Sequence, residues 1–130
     1  MIDKVALLYL QDGKILTTRS KGKDAWYFPG GKREGEETDL QTLTREIREE
    51  LSVDILPETA TYAGTFSAQA HGKAEGVTVQ MTCYHAAFTG TPRPSSEIEE
   101  LRWITSADAA IVSPVDRLIL THLKNLGLIE

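Results

Sequence analysis

The chain is poor in several things, and each shortage narrows what it can do. It holds one cysteine, Cys83, in 130 residues. An intramolecular disulfide is excluded, and a reducing compartment is the expectation. It has no basic excess, since 14 Lys and Arg face 19 Asp and Glu for a formal net charge of −5. The global basic surface used in non-specific nucleic-acid binding is therefore absent. An anionic substrate must be met by a local device, such as a metal ion or a few placed cations. No apolar stretch approaches the ~20 residues that span a bilayer. Met1 to Val5 lacks the tripartite pattern of a signal peptide. The expected location is cytoplasmic, with no membrane partner. His71, His85 and His122 are scattered without a metal-ligand spacing. There is no Walker loop and no serine-centred nucleophile elbow.

What is present suits a globular chain. The hydrophobic share is 41% and the charged share 25%. One domain over residues 1–130 is expected. Val5 to Leu10 reads as a buried strand, and Asp12-Gly13 as a hairpin turn before a second strand from Lys14 to Arg19. Trp26 to Phe28 reads as a brief strand ended by Pro29-Gly30-Gly31. From Ala60 the period becomes two, with Ala60, Tyr62, Phe66 and Ala68 on one face. A second alternating run from Val77 to Tyr84 makes an antiparallel pair with it. Leu101 to Ile104 is a short strand around Trp103. Ser113-Pro114 starts a helix whose apolar face is Val115, Leu118, Ile119, Leu123 and Leu126, ended by Gly127. A mixed sheet between helices, an α/β class, accommodates these elements.

A further helix, beginning near Thr38, has the apolar stripe Leu40, Leu43, Ile47 and Leu51. At about 100° per residue, Glu49 falls about 60° to one side of Glu46 and Glu50 about 40° to the other. Three carboxylates thus share one face in the C-terminal half, where both the macrodipole and mutual repulsion disfavour them. Two readings fit: a solvated acidic face with Arg45 and Arg48 as partial neutralisers, or a seat for a hard cation. The context favours the second. Gly30-Gly31 lies just upstream, where backbone can approach a ligand closely. Five residues separate Gly31 from Glu37, and seven more lead to Arg45-Glu46-Ile47-Arg48-Glu49-Glu50.

This arrangement resembles the Nudix box, matching it at Gly31, Glu37, Arg45, Glu46, Ile47, Glu49, Glu50 and Val53. It departs at Ser52, where the family usually has glycine, and a different helix cap is expected there. The resemblance implies a Nudix-like α/β/α sandwich with a mixed central sheet between helices. It implies that Glu46, Glu49 and Glu50 bind Mg2+ (Mn2+ as a substitute) together with the Gly30 carbonyl. Catalysis would rest on Glu46, Arg45, Glu49 and Glu50, with Arg45 orienting the glutamates. Glu37 would hold loop to helix through an ion pair, beside Gly31. A downstream loop often adds a further base or ligand in this family. Glu97, Glu99 and Glu100 are the candidates, and Glu97 is the choice, against a merely solvated acidic turn.

Arg19 and Lys32 flank the expected site and could receive phosphate oxygens. Trp26 and Phe28 could supply a base-stacking wall, although some of the Trp26-Tyr27-Phe28 run should be core. Tyr84 and Asp116 could read a base edge or be structural. The implied activity is hydrolysis of a phosphoanhydride in a nucleoside diphosphate linked to another group. A (deoxy)nucleoside triphosphate giving monophosphate and pyrophosphate comes first. Nucleotide sugars, dinucleoside polyphosphates and a non-catalytic nucleotide sensor remain as alternatives. The expected partner is a small nucleotide, not long nucleic acid, and a homodimer is left open.

Overall fold

The computed structural model describes residues 1–130. Its strands are β1 (Ile2–Leu7), β2 (Leu10–Gln11), β3 (Lys14–Ser20), β4 (Gly30–Lys32), β5 (Asp54–Ile55), β6 (Thr61–Gln69), β7 (Thr78–His85), β8 (Phe88–Thr89) and β9 (Ile98–Ile104). The helices are α1 (Asp39–Leu51) and α2 (Pro114–Asn125), with 3-10 turns at Pro57–Thr59 and Ser106–Ile111. The central sheet has the order β4-β1-β7-β6 and is mixed: β1 runs parallel to β7 and antiparallel to β4. A second sheet, β2-β3-β9, and the β5-β8 pair complete the framework.

The continuous apolar run at the start of the chain has a simple cause. Successive strand side chains point to opposite faces, and both faces of β1 are covered. Val5 and Leu7 join Leu16, Leu43, Ile47 and Leu51 in a core under α1. Ala6 and Leu8 join Ile15, Ile119, Leu120 and Leu123 in a larger core under α2. Two cores on opposite sides of one sheet make the α/β/α sandwich. Strand β4 lies at the sheet edge, so the rim between the two helical layers is reachable there.

Local sequence logic accounts for most boundaries. Thr38 caps α1 with a full capping box: its hydroxyl accepts from Gln41 N–H, and the Gln41 side chain accepts from Thr38 N–H. Pro114 opens α2 at its first turn.

Several expectations are corrected. Trp26 to Phe28 forms only single bridges, Thr18 to Tyr27 and Trp26 to Val112. The strand lies instead at Gly30–Lys32, because Gly30 takes φ +143 and its missing side chain admits β1, where a Cβ would lie 2.1 Å from the Val5 carbonyl oxygen. On β6 a bulge between Tyr62 and Gly64 reverses the alternation, leaving Tyr62 58% exposed. Strand β9 begins at Ile98 because its pairing with β3 runs to Ser20. Helix α2 is rotated from the expected face: Leu118 and Leu126 are exposed, while Asp116 and Leu120 are buried. Ser52 itself adopts the left-handed cap, at φ 56 and ψ 36, and its hydroxyl meets that of Ser95 at 2.5 Å. The serine thus keeps the cap expected of glycine, with a side-chain tether added.

Candidate active site

A cleft of about 380 Å³ opens at the β4 edge. Its acidic wall carries Glu46 and Glu50 from α1, Glu97 from the turn before β9, and Glu34. Glu50 is 7% exposed, and its Oε1 accepts from Gly30 N–H at 2.9 Å. Burial pushes the Glu50 carboxyl up to about 8, and Glu46 and Glu97 add to the push. The Gly30 N–H and Lys4 only partly oppose it. Glu46 is also raised, chiefly by burial, against the pull of Arg45. A buried and a half-buried carboxylate that repel each other, with a third nearby, form a strongly anionic hollow.

One guanidinium organises the outer side of this wall. Arg45 donates to both oxygens of Glu37 at 2.8 Å, to Glu46 Oε1 at 2.9 Å and to the Lys32 carbonyl at 3.1 Å. Those bonds hold the Glu37 carboxyl down at about 2. Glu37 also accepts from Glu34 N–H and the Thr42 hydroxyl, which ties the loop onto α1. The ion pair between Glu37 and Arg45 therefore joins loop, edge strand and helix.

The glycines set the depth. A Cβ on Gly31 would lie 2.4 Å from Glu46 Cδ. The Glu46 carboxylate occupies the space that any other residue's side chain would claim.

The remaining sequence candidates divide. Lys32 and Glu97 line the cleft, while Phe28 reaches its wall from the core and is 3% exposed. Arg19 does not: it faces Glu100 across β3 and β9, pairs with its carboxylate, and donates to the Lys23 carbonyl at 2.9 Å. Trp26 does not either, being 7% exposed and flanked by the Arg19 and Arg102 guanidiniums, each 5.8 Å from its ring. Glu49 stands at the margin, its side chain 50% exposed and 3.8 Å from Arg45. The two-sided offset on the helix explains this, since Glu50 turns toward the buried stripe and Glu49 away from it. Tyr84 donates to Asp39 at 2.7 Å beside α1 and is not part of the cleft.

The sequence did not single out Lys4, which lines the cleft together with Tyr27 of the aromatic run. A lysine at the mouth of an otherwise apolar strand was the available signal. Behind them a smaller recess of about 180 Å³ runs under α2, past His71, Ser113 and Val115. The neighbouring residue in α2, Asp116, is fully buried and lines neither cavity. Its Oδ2 accepts from Phe28 N–H at 3.3 Å, while Oδ1 has no hydrogen-bond partner. Burial pushes this carboxyl up to about 7, opposed by the Phe28 N–H and Lys4.

The donor set suits a hard divalent cation. All its candidates are oxygens, and no three acidic groups close into a complete cage. Magnesium characteristically takes one or two carboxylates and leaves other positions to water and substrate phosphate.

The NUDIX domain family model matches residues 2–123. This chain is a Nudix hydrolase. It is 32% identical to the CTP pyrophosphohydrolase of Escherichia coli K12 over 84% of this chain and 79% of that protein. It resembles the solution structure of the E. coli ORF135 protein with TM-score 0.73 and 30% identity, covering 98% of this chain and 91% of that one. An RNA pyrophosphohydrolase of Halorhodospira halophila is 50% identical, but over only 32% of this chain and 23% of that protein. The family and these relatives make the chain a Nudix-type pyrophosphohydrolase, and Nudix hydrolases act with divalent metal ions.

Proposed function

We propose that this Nudix hydrolase cleaves (deoxy)nucleoside triphosphates to nucleoside monophosphate and pyrophosphate with Mg2+, CTP and its base-modified forms being the first candidates. The observation that carries the reading is the continuity of the acidic cleft with the recess under α2, which share Lys4, Tyr27, Lys32 and Met81. One substrate can then place its anhydride at Glu46 and Glu50 and its base in the recess between Tyr27, His71 and Val115. The long match to a CTP pyrophosphohydrolase supports the same substrate class. The RNA pyrophosphohydrolase match is confined to about a third of the chain, and the net charge of −5 disfavours long RNA.

In this reading Glu46, Glu50, the Gly30 carbonyl and Glu97 hold the metal, with Glu49 joining from the margin. Bound there, the ion would neutralise phosphate charge and help align water with the leaving group. Glu46 or a neighbouring carboxylate takes the proton of the attacking water. Arg45 keeps Glu46 aimed while Glu37 anchors Arg45. Lys32 receives phosphate oxygens, and Tyr27 flanks the sugar and base.

The test is a turnover screen with Mg2+ over triphosphates, nucleotide sugars and dinucleoside polyphosphates, identifying both products. Monophosphate plus pyrophosphate is expected from a triphosphate. Release of orthophosphate alone contradicts the cleavage position, and binding without turnover favours a sensor.

A further inference from the structure

Sheet register sets Lys4 directly opposite Lys32. Cross-strand partners share a face, with Cβ atoms about 5 Å apart, and like charges so placed are destabilising. Lys4 has the parity of Ala6 and Leu8, which pack under α2, so it lies on the side of the sheet that holds Asp116. Its half-buried ammonium has lost part of its water but gained no hydrogen bond and no direct ion pair. Asp116, Glu50 and Glu46 act on it only through space. The Tyr27 ring lies 5.3 Å from Nζ. A partly desolvated cation with three unused donors beside a second cation is an arrangement that an anion relieves.

The position is specific. Lys4, Tyr27, Lys32 and Met81 belong both to the acidic cleft and to the recess under α2. A substrate with its base in the recess and its anhydride at the carboxylates must pass this junction. The anionic group of a nucleotide that lies between base and scissile bond is the phosphate carried by the sugar.

We propose that Lys4 binds the phosphate that stays on the nucleoside, so that it selects a nucleotide over a bare polyphosphate. This assignment rests on the triphosphate reading above. Lys32 reaches the same anion from the exposed edge, whereas Lys4 reaches it from within.

The experiment compares wild type, Lys4→Met and Lys4→Arg by NMR titration in Mg2+. The probes are CMP (or the monophosphate product of the best substrate), the corresponding nucleoside, and pyrophosphate. Loss of a charged hydrogen bond should weaken monophosphate binding by about tenfold or more. Nucleoside and pyrophosphate affinities should stay within about twofold, and Lys4→Arg should recover most of the loss. In turnover KM should rise by the same factor, with kcat changing less. Thermal melts check folding, and Lys4→Gln replaces Lys4→Met if the latter does not fold. Unchanged monophosphate binding overturns the assignment. So does an equal loss for nucleoside or pyrophosphate, or an arginine variant as weak as the methionine one. A wild type that cleaves no triphosphate removes the underlying reading instead. One that cleaves triphosphates and binds the product no better than Lys4→Met overturns Lys4 alone.

Discussion

Gly31 and Glu46 occupy one space: a Cβ on the glycine would sit 2.4 Å from the glutamate's carboxyl carbon. The obstacle is the far end of a flexible side chain, so it can yield. Gly31→Ala should therefore fold, with a stability change of about 1 kcal/mol or less, while displacing Glu46 and lowering kcat about 100-fold. Gly30→Ala is the contrasting case, because its Cβ would meet the Val5 carbonyl at 2.1 Å from a backbone at φ +143. It should lose about 2–4 kcal/mol of stability. Paired melting and kinetic assays check both, and full activity in Gly31→Ala would remove Glu46 placement from the mechanism.

Glu50 should make stability depend on pH and metal. Its folded carboxyl titrates at about 8 against 4.5 for the ordinary group. The folded state therefore keeps a proton that the unfolded chain releases across that window. Stability without metal should fall as pH rises from about 4.5 to 8, by at most about 1.4 kcal/mol per pH unit. A divalent ion competes with that proton, so its stabilising shift in Tm should be larger at pH 8.5 than at pH 6. Glu50→Gln keeps an oxygen acceptor for Gly30 N–H but loses the charge. It should flatten part of the pH decline, shrink the Mg2+ shift and reduce turnover about 100-fold or more. Undiminished turnover would discard Glu50 as a ligand.

Asp116 acts in the same direction over a lower window. Its carboxyl is raised from 3.8 to about 7, so the ionised form is penalised in the folded state and stability declines between those values. The decline has a ceiling on the order of 4 kcal/mol. Asp116→Asn retains an acceptor for Phe28 N–H and removes the titration. Its melting temperature should exceed that of wild type at pH 8 and approach it near pH 4. Equal melting behaviour across the range would show that the buried carboxyl is not penalised.

Ser52 offers a sharper test of the helix end. Its positive φ favours glycine, whereas its hydroxyl contact with Ser95 favours serine. Ser52→Gly should be neutral within about 1 kcal/mol as these effects offset. Ser52→Val loses the contact and keeps the strain, and should cost about 1–2 kcal/mol. Denaturant titration separates the two.

The acidic helix was legible because spacing along a helix fixes direction around it. Gly31 and Glu37 upstream, and Arg45 on the helix itself, were legible through the resemblance to the Nudix box. Arg19 and Trp26 misled, since nearness in sequence to a cleft does not tell which way a side chain turns. Arg19 found Glu100 on a strand distant in sequence, and Trp26 found the core. Lys4 and Asp116 were hard to place for the same reason. Their meeting depends on β1 and α2 lying on one side of the sheet, a long-range fact that local periodicity does not carry. The bulge at Gly64 shows the limit most simply: one extra residue turns Tyr62 outward.

The parallel pairing of β1 with β7 has a kinetic consequence. Ile2 aligns with Val79 and Leu7 with Tyr84, so β1 finds this neighbour only after the elements between them, β2 to β6 and α1, have emerged. Until then its apolar run must be shielded by β4 and α1 alone, leaving the opposite face uncovered. Non-local pairing of this kind slows folding, and an exposed hydrophobic strand is where aggregation begins. Refolding yield should therefore fall with protein concentration. Polar substitutions on the α2-facing side of β1 should slow the closing step more than equally destabilising changes in α1.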